Sequence, residues 1–554
     1  MDFTANLRPS RLMLDRVLEG RPMAARSSRL LNLPVEILTL IIEYLDSDRK
    51  TLACLALVNS DCRQLARSCQ FKNVVFNYSP KSIGLLSALQ AEAVERSWTR
   101  DRLTSRASIG VCIRCIETCL DYYWRVFNET RPKDPDDEGN PGSTDGDDYR
   151  LRLEQWTESL KTIQDEMQNV HDPGLASVIP TLPHLETISL MNNGTLNSHL
   201  LNHLADSTVK HLRLDADVES ESTVVQMGKR ASWPLESLDI QVDWECDSDS
   251  EDDPSDPSAF WNSILQPCSF TLRSLNVSQR RPFGWNEKTL CTTAEFPCLM
   301  SLQIGFRTRV CRSAMRSLLR SELLSTLVID MEDPIASECL EQMGYRESLQ
   351  KLVWSGFYIP ATASLQFLQN NPQLTAFGTS DCVPAALMDR MIPVLGTFPK
   401  LKTLSLQWEG TMASSLATIS SLTTLEELHI SCRTKSWPRS NWFIDHEATQ
   451  KQLCTLLNLR KLAFSRDEYQ FENDLIADGV DFLPDDRERR QEELHCQHMI
   501  LYAEQYALTF NKLEWIHLGQ LSFSITQDGP GRKGVAVPLC KERDANFSSG
   551  SFNI

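Results

Sequence analysis

No run of about 18 apolar residues occurs in the 554-residue chain, so no segment is long and apolar enough to be read as a spanning helix. The first 30 residues carry Arg8, Arg11, Arg16, Arg21, Arg26 and Arg29 but lack the apolar core of a secretory signal. Asp2, Asp15 and Glu19 count against a transit peptide, and a mobile basic arm is expected over residues 1–27. Also missing are a glycine-rich phosphate loop, an HExxH helix and a GxSxG elbow. The ten histidines are dispersed. The chain therefore reads as non-catalytic, with no cofactor and no metal. Positive charge is short as well: 56 Lys and Arg against 74 Asp and Glu leave a net charge of −18. That balance argues against nucleic acid or an anionic membrane as partner. The 17 cysteines are odd in number and irregular in spacing, a pattern of reduced thiols in the cytoplasm or nucleus rather than of a disulfide framework.

What is present begins with residues 28–76. Pro34 stands where a helix starts, a position that tolerates a missing N–H. Glu36 falls in the first turn, where the helix dipole favours negative charge. Ile37, Ile41 and Leu45 form one row at four-residue spacing, with Leu38 and Ile42 beside it. After the polar break DSDRK, a second helix carries Leu55, Val58, Cys62 and Leu65 at steps of three, four and three. Two short amphipathic helices bury little by themselves, so they need a third element or another protein.

This segment resembles an F-box. The family's Leu-Pro, acidic, Ile-Leu, Ile and Leu positions, and its later Leu-rich helix, are held by Leu33, Pro34, Glu36, Ile37, Leu38, Ile41, Leu45, Leu52, Leu55, Val58 and Cys62. The resemblance implies docking on a Skp-type adaptor, which ties the chain to a cullin–RING ubiquitin ligase. The implied adaptor-binding residues are Leu33, Pro34, Ile37, Leu38, Ile41, Leu45, Leu52, Leu55 and Val58.

Residues 77–130 are expected to be a helical linker. Ile83, Leu86 and Leu89 form one stripe, and Cys112, Cys115 and Cys119 lie at three- and four-residue spacing on what reads as one buried helix face. Residues 131–148 are rich in Pro, Gly and Asp and read as an acidic disordered loop. Asp134, Asp136, Glu138, Gly139 and Asp145 fall on EF-hand positions, but Pro141 damages the pattern and a calcium site is not adopted. Helix resumes with Leu151, Leu153, Trp156 and Leu160.

From about residue 175 a core of apolar-x-x-apolar-x-apolar recurs. It starts at Leu185, Val209, Leu235, Leu272, Leu299, Leu324, Leu349, Leu374, Leu401, Leu425, Leu459 and Leu513. Eight of the eleven intervals fall between 24 and 27 residues, a period scattered strands would not produce. Each copy predicts a short parallel strand with alternate apolar residues inward, covered by the helix that follows. This stretch resembles the leucine-rich-repeat family over about 350 residues. The Asn that follows the strand core in many members is found at Asn193 and is mostly absent later. The predicted fold class is α/β: an N-terminal helical F-box, then a solenoid over 149–525 with parallel strands on one face and helices on the other.

Three insertions interrupt the array, near 244–257, 433–448 and 465–510. The first carries seven acidic residues, and Ser248 and Ser250 each have an acid three positions on. It reads as a phosphorylated loop for a basic partner or as a plain solvated loop. The second sets Trp437 and Trp442 beside Arg439, either a partner anchor or packing on the solenoid. The third contains an amphipathic helix with His495, Cys496 and His498, whose spacing turns at most two ligands to one ion. Residues 526–554 read as a capping hairpin, turning at Gly529, Pro530 and Gly531, and a tail.

The order of the two modules is that of F-box/leucine-rich-repeat substrate receptors. The resemblance implies a non-catalytic adaptor that presents an unknown protein target to the ligase. The strand face would hold it through the residues between the apolar ones, such as Arg213, Asp239, Gln303, Gln407 and His429. The alternative is a ligase-independent binding scaffold.

Overall fold

A computed structural model describes residues 17, 29–45, 48–98, 108–119, 127, 146–196, 198–218, 224–226, 232–244, 258–279, 290–305, 308–330, 333–355, 361–381, 383–408, 413–432, 444–465, 484–519, 521–527 and 534–539. The basic arm apart from Val17, most of the 131–148 loop, the acidic 245–257 segment, the Trp437–Trp442 segment and the tail lie outside these residues. The chain forms two compact units, one within Phe3–Cys298 and one within Leu299–Ile554.

The first unit opens with three short helices: α1 (Val35–Tyr44), α2 (Arg49–Ala56) and α3 (Ser60–Gln70). The single second helix expected from the Leu55–Leu65 spacing is thus two. Asn59 sits in extended backbone, and its side chain accepts from the Cys62 N–H at 2.8 Å, which starts a new helix there. Asp48 caps α2 in the same way, accepting from the Lys50 and Thr51 N–H groups at 3.1 and 3.0 Å. Leu31, Leu38, Ile42, Cys62 and Leu65 close into a small core between these helices.

Strand β1 (Asn73–Phe76) follows, then α4 (Pro80–Trp98) and β2 (Cys115–Thr118). The helical-linker expectation for 77–130 holds for α4 but not for the cysteines. Cys112 ends a 3-10 turn and Cys115 opens β2, so they share no helix face. The reason is pairing: β2 lies between β1 and β3, in parallel register with both. A backbone that can enter a ladder on both sides gains more than an isolated helical turn. Polar ties fix the junction. The Glu92 carboxylate accepts from Ser108 Oγ (2.7 Å) and from the Ile109 and Gly110 N–H groups (2.8 and 3.0 Å). Buried Gln64 on α3 donates to the Ser108 carbonyl at 2.9 Å.

The unit continues with α5 (Gly146–Glu166), a π-helical turn (Met167–His171), α6 (Asp172–Val178), β3 (Thr187–Thr195), α7 (Ser198–Ala205), β4 (His211–Val218), β5 (Ser237–Trp244), α8 (Ser258–Cys268) and β6 (Ser274–Gln279). Helix α5 begins inside the stretch read as loop, at Gly146. Strands β1 to β6 pair in chain order, all parallel.

The second unit repeats strand and helix: β7 (Ser301–Ile304), α9 (Arg312–Leu319), β8 (Thr326–Asp330), α10 (Pro334–Met343), β9 (Lys351–Ser355), α11 (Ala361–Asn370) and β10 (Ala376–Thr379). It goes on through α12 (Ala385–Leu395), β11 (Thr403–Trp408), α13 (Ala413–Ile419), β12 (Glu427–Cys432), α14 (His446–Leu453), β13 (Lys461–Ser465) and α15 (Pro484–Thr509). It ends with β14 (Trp515–Gly519), β15 (Leu521–Gln527) and β16 (Gly534–Pro538). Strands β7 to β14 are parallel and pair in chain order; β15 and β16 turn antiparallel as a hairpin.

The twelve repeated cores coincide with β3 to β14, and each strand starts at the third residue of its core. The three apolar positions are the buried ones, as in Leu401, Leu404 and Leu406 or Leu425, Leu428 and Ile430. In-register stacking lines them into rows, one of which runs Leu327, Leu352, Phe377, Leu404, Leu428, Leu462 and Ile516. Just before the strands, opposite charges face across neighbouring repeats: Arg114–Glu186 (3.0 Å), Lys210–Glu236 (2.9 Å) and Lys402–Glu426 (2.7 Å). A slip by one repeat would set like charges opposite each other, so the pairs favour this register.

Candidate protein-binding surfaces

Two surfaces carry the residues singled out in the sequence. The first is the outer side of α1 and α2. Leu33, Pro34, Ile37 and Val58 are exposed there, while Ile41, Leu45 and Leu55 are half-buried. Leu38 and Leu52 are each only 1% exposed. These two are corrections to the expected contact set, because Leu38 belongs to the three-helix core and Leu52 is likewise turned inward. Three exposed apolar residues join the surface that were not singled out: Leu40, Tyr44 (88% exposed) and Leu57 (81%). A signal for them existed. Helix α1 reads VEILTLIIEY, apolar on more than one side, and such a helix has more to cover than one internal partner can supply. On α1, Ile37, Leu40 and Tyr44 follow at steps of three and four, and an exposed apolar row of this kind marks a binding site more often than chance.

The second is the strand face. In the first unit, parallel register aligns Val75, Glu117, Ser189, Arg213, Asp239 and Asn276 in one column. Asp239 is not exposed as expected; it is 5% accessible. Asn276 Nδ2 donates to its Oδ1 at 2.7 Å, and Arg213 Nε lies 3.4 Å from Oδ2. Burial raises its pKa, the Arg213 charge and the Asn276 bond oppose that rise, and Asp215 adds to it. Asp239 therefore holds Arg213 in place, and the half-exposed guanidinium is the member that reaches outward.

In the second unit the corresponding column runs Gln303, Val328, Val353, Gly378, Ser405, His429, Ala463 and His517. Gln303 and Gln407 are half-buried with their side chains on this face. His429 is also half-buried and is held at both ring nitrogens: Nδ1 to Ser405 Oγ at 2.9 Å and Nε2 to Ser465 Oγ at 2.8 Å. Burial, helped by neighbouring His517, pulls its pKa from 6.5 to about 4. A histidine so weakly basic, tied to two hydroxyls, acts as a neutral strut rather than a general base at pH 7. His429 thus joins Ser405 of the column to Ser465, two residues beyond Ala463 on β13; Arg213 and Asp239 form a separate group in the other unit.

Acid should act through that strut. Above pH 6.5 the ring is neutral in both folded and unfolded chains, and its contribution to stability is complete. As pH falls toward 4 the unfolded chain takes the proton first, so stability is lost. Between about 6.5 and about 4 the loss is roughly 2–3 kcal/mol, at about 1.4 kcal/mol per pH unit. Urea unfolding at pH 7.5 and 4.5 should show His429→Gln losing that much less than the wild-type chain on acidification. Equal losses would refute the assignment.

His495, Cys496 and His498 fall on α15 as expected. Among the described residues no group of three or more His, Cys, Asp or Glu side chains is placed to hold a metal, and no helix is long and apolar enough to cross a membrane. In comparisons with known proteins, the chain matches no family model and no curated protein.

Proposed function

We propose that the chain is a substrate-recognition adaptor that couples target proteins to a cullin–RING ubiquitin ligase. The reading is supported chiefly by one observation: the segment resembling an F-box carries exposed apolar residues, Leu33, Ile37, Leu40, Tyr44, Leu57 and Val58, while Leu31, Leu38, Ile42, Cys62 and Leu65 pack into a small core of its own. A Skp-type adaptor docks on the exposed residues. Leu38 and Leu52 support the surface from within, and Pro34 begins its helix. The strand faces take the target, with Arg213, Gln303 and Gln407 as contacts and with Asp239 and His429 as the groups that position neighbours. The chain does no covalent chemistry in this scheme. It raises the effective concentration of target lysines near a charged ubiquitin.

The test is co-elution of the full chain with a purified Skp-type adaptor in size-exclusion chromatography. A stable one-to-one complex is expected. If the adaptor elutes alone while proteins captured from cells still bind the chain, the ligase reading fails and a ligase-independent scaffold takes its place.

A further inference from the structure

Helix α7 packs Leu200, Leu201 and Leu204 inward and turns His199 and His203 outward, one helical turn apart. Their Nε2 atoms lie 3.3 Å from each other, with ring centroids 4.6 Å apart and the rings edge-on at 73°. We propose that this pair is a two-imidazole binding site for a divalent transition ion of the copper, nickel and zinc class, with water completing the coordination shell.

The distance carries the argument. An ion bound at about 2.0–2.1 Å from each nitrogen and bridging a 3.3 Å gap subtends roughly 105–110° at the metal. That is close to the tetrahedral angle, and it needs no change in the separation of the two rings. In the metal-free pair, one Nε2–H donates to the other Nε2. Ligation moves that proton to Nδ1 of the same ring, so both rings coordinate as neutral Nδ1–H tautomers and no proton need be released.

Asp206 lies three positions beyond His203, and its N–H still bonds the Asn202 carbonyl, which continues the helical turn. No third ligating side chain joins the pair among the described residues, so water would fill the remaining positions. The ligand set also selects the metal. Two imidazoles and water suit borderline divalent ions; calcium and magnesium demand oxygen ligands, and copper(I) favours sulfur. Affinity should rise from zinc to copper(II). Bound metal would staple a helix of eight residues, too short to be stable alone.

The experiment uses the full chain, its accessible thiols blocked by alkylation, stripped with a chelator and titrated with copper(II) against a competing chelator. Electron paramagnetic resonance of the first equivalent should show hyperfine structure from two imidazole nitrogens. His199→Ala, His199→Gln and His203→Ala should each weaken that equivalent at least tenfold, the lower limit for losing even an outer partner of a metal ligand, and should reduce the signal to one nitrogen. Wild-type affinity in the variants, or a two-nitrogen signal that survives them, would overturn the assignment.

Discussion

On the proposed function, replacing Ile37 and Val58 together with aspartate is expected to weaken capture of a Skp-type adaptor at least 100-fold while leaving the urea unfolding midpoint almost unchanged. Both side chains are largely outside the protein's own core, at 42% and 68% exposure, so a carboxylate there meets water in the free chain. In a docked complex the same carboxylates would be desolvated against apolar surface without a partner, a cost of several kcal/mol. Each lost apolar anchor adds about 2 kcal/mol where it is a hot spot, and every 1.4 kcal/mol is about tenfold. Leu38→Ala supplies the contrast. It empties part of the three-helix core, costs about 2–5 kcal/mol, and loses binding only by loosening the module. Full capture by the double aspartate variant would place the adaptor elsewhere or remove it altogether.

The repeat was legible because its signal is redundant. Each core has three buried positions at fixed offsets, and the period recurs until chance is excluded. Strands β1 and β2 carry the same offsets, at Phe71, Val74 and Phe76 and at Ile113 and Ile116. The sequence hides them, because Phe71 to Ile113 and Ile113 to Leu185 are far longer steps than the period, and a local helix pattern in the cysteine run competes with them. Strand membership there is set by a partner strand, which no local window contains.

Surface assignments were less legible for a related reason. Helical spacing marks which residues are apolar, and burial decides which of them remain available. On α1, Ile37 and Leu38 are adjacent and equally apolar, yet one is exposed and the other sealed. Leu38 clusters with Leu31 and with Cys62 and Leu65 of α3, the helix started by Asn59, and Ile37 does not. Asp239 shows the same limit on a strand. Alternation puts it on the open face, but Arg213 and Asn276 from the two neighbouring strands close over it. A polar residue between apolar ones is therefore a contact candidate only after its cross-strand partners are known.

Trp354→Ala should be among the most damaging single changes in the second unit, costing about 3–5 kcal/mol against a typical total of about 5–15 kcal/mol for a domain. The indole is fully buried on β9 and meets Phe377 of β10 edge-on, with ring centroids 5.0 Å apart at 87°. Its strand neighbours in register are Ile329 on β8 and Thr379 on β10, so the cavity would open toward both adjoining repeats at once. In a stacked array stability is the sum of each unit and its contacts with the next, and a fault in one interior repeat weakens the coupling on either side. Hydrogen exchange should then show protection falling first across β8, β9 and β10, with β1 to β3 of the other unit retaining theirs. Trp354→Phe keeps an aromatic face toward Phe377 and should cost less than half as much. A loss under about 1 kcal/mol for the alanine variant would mean the repeats can close over a missing indole, which is incompatible with a stack whose rows are filled to native density.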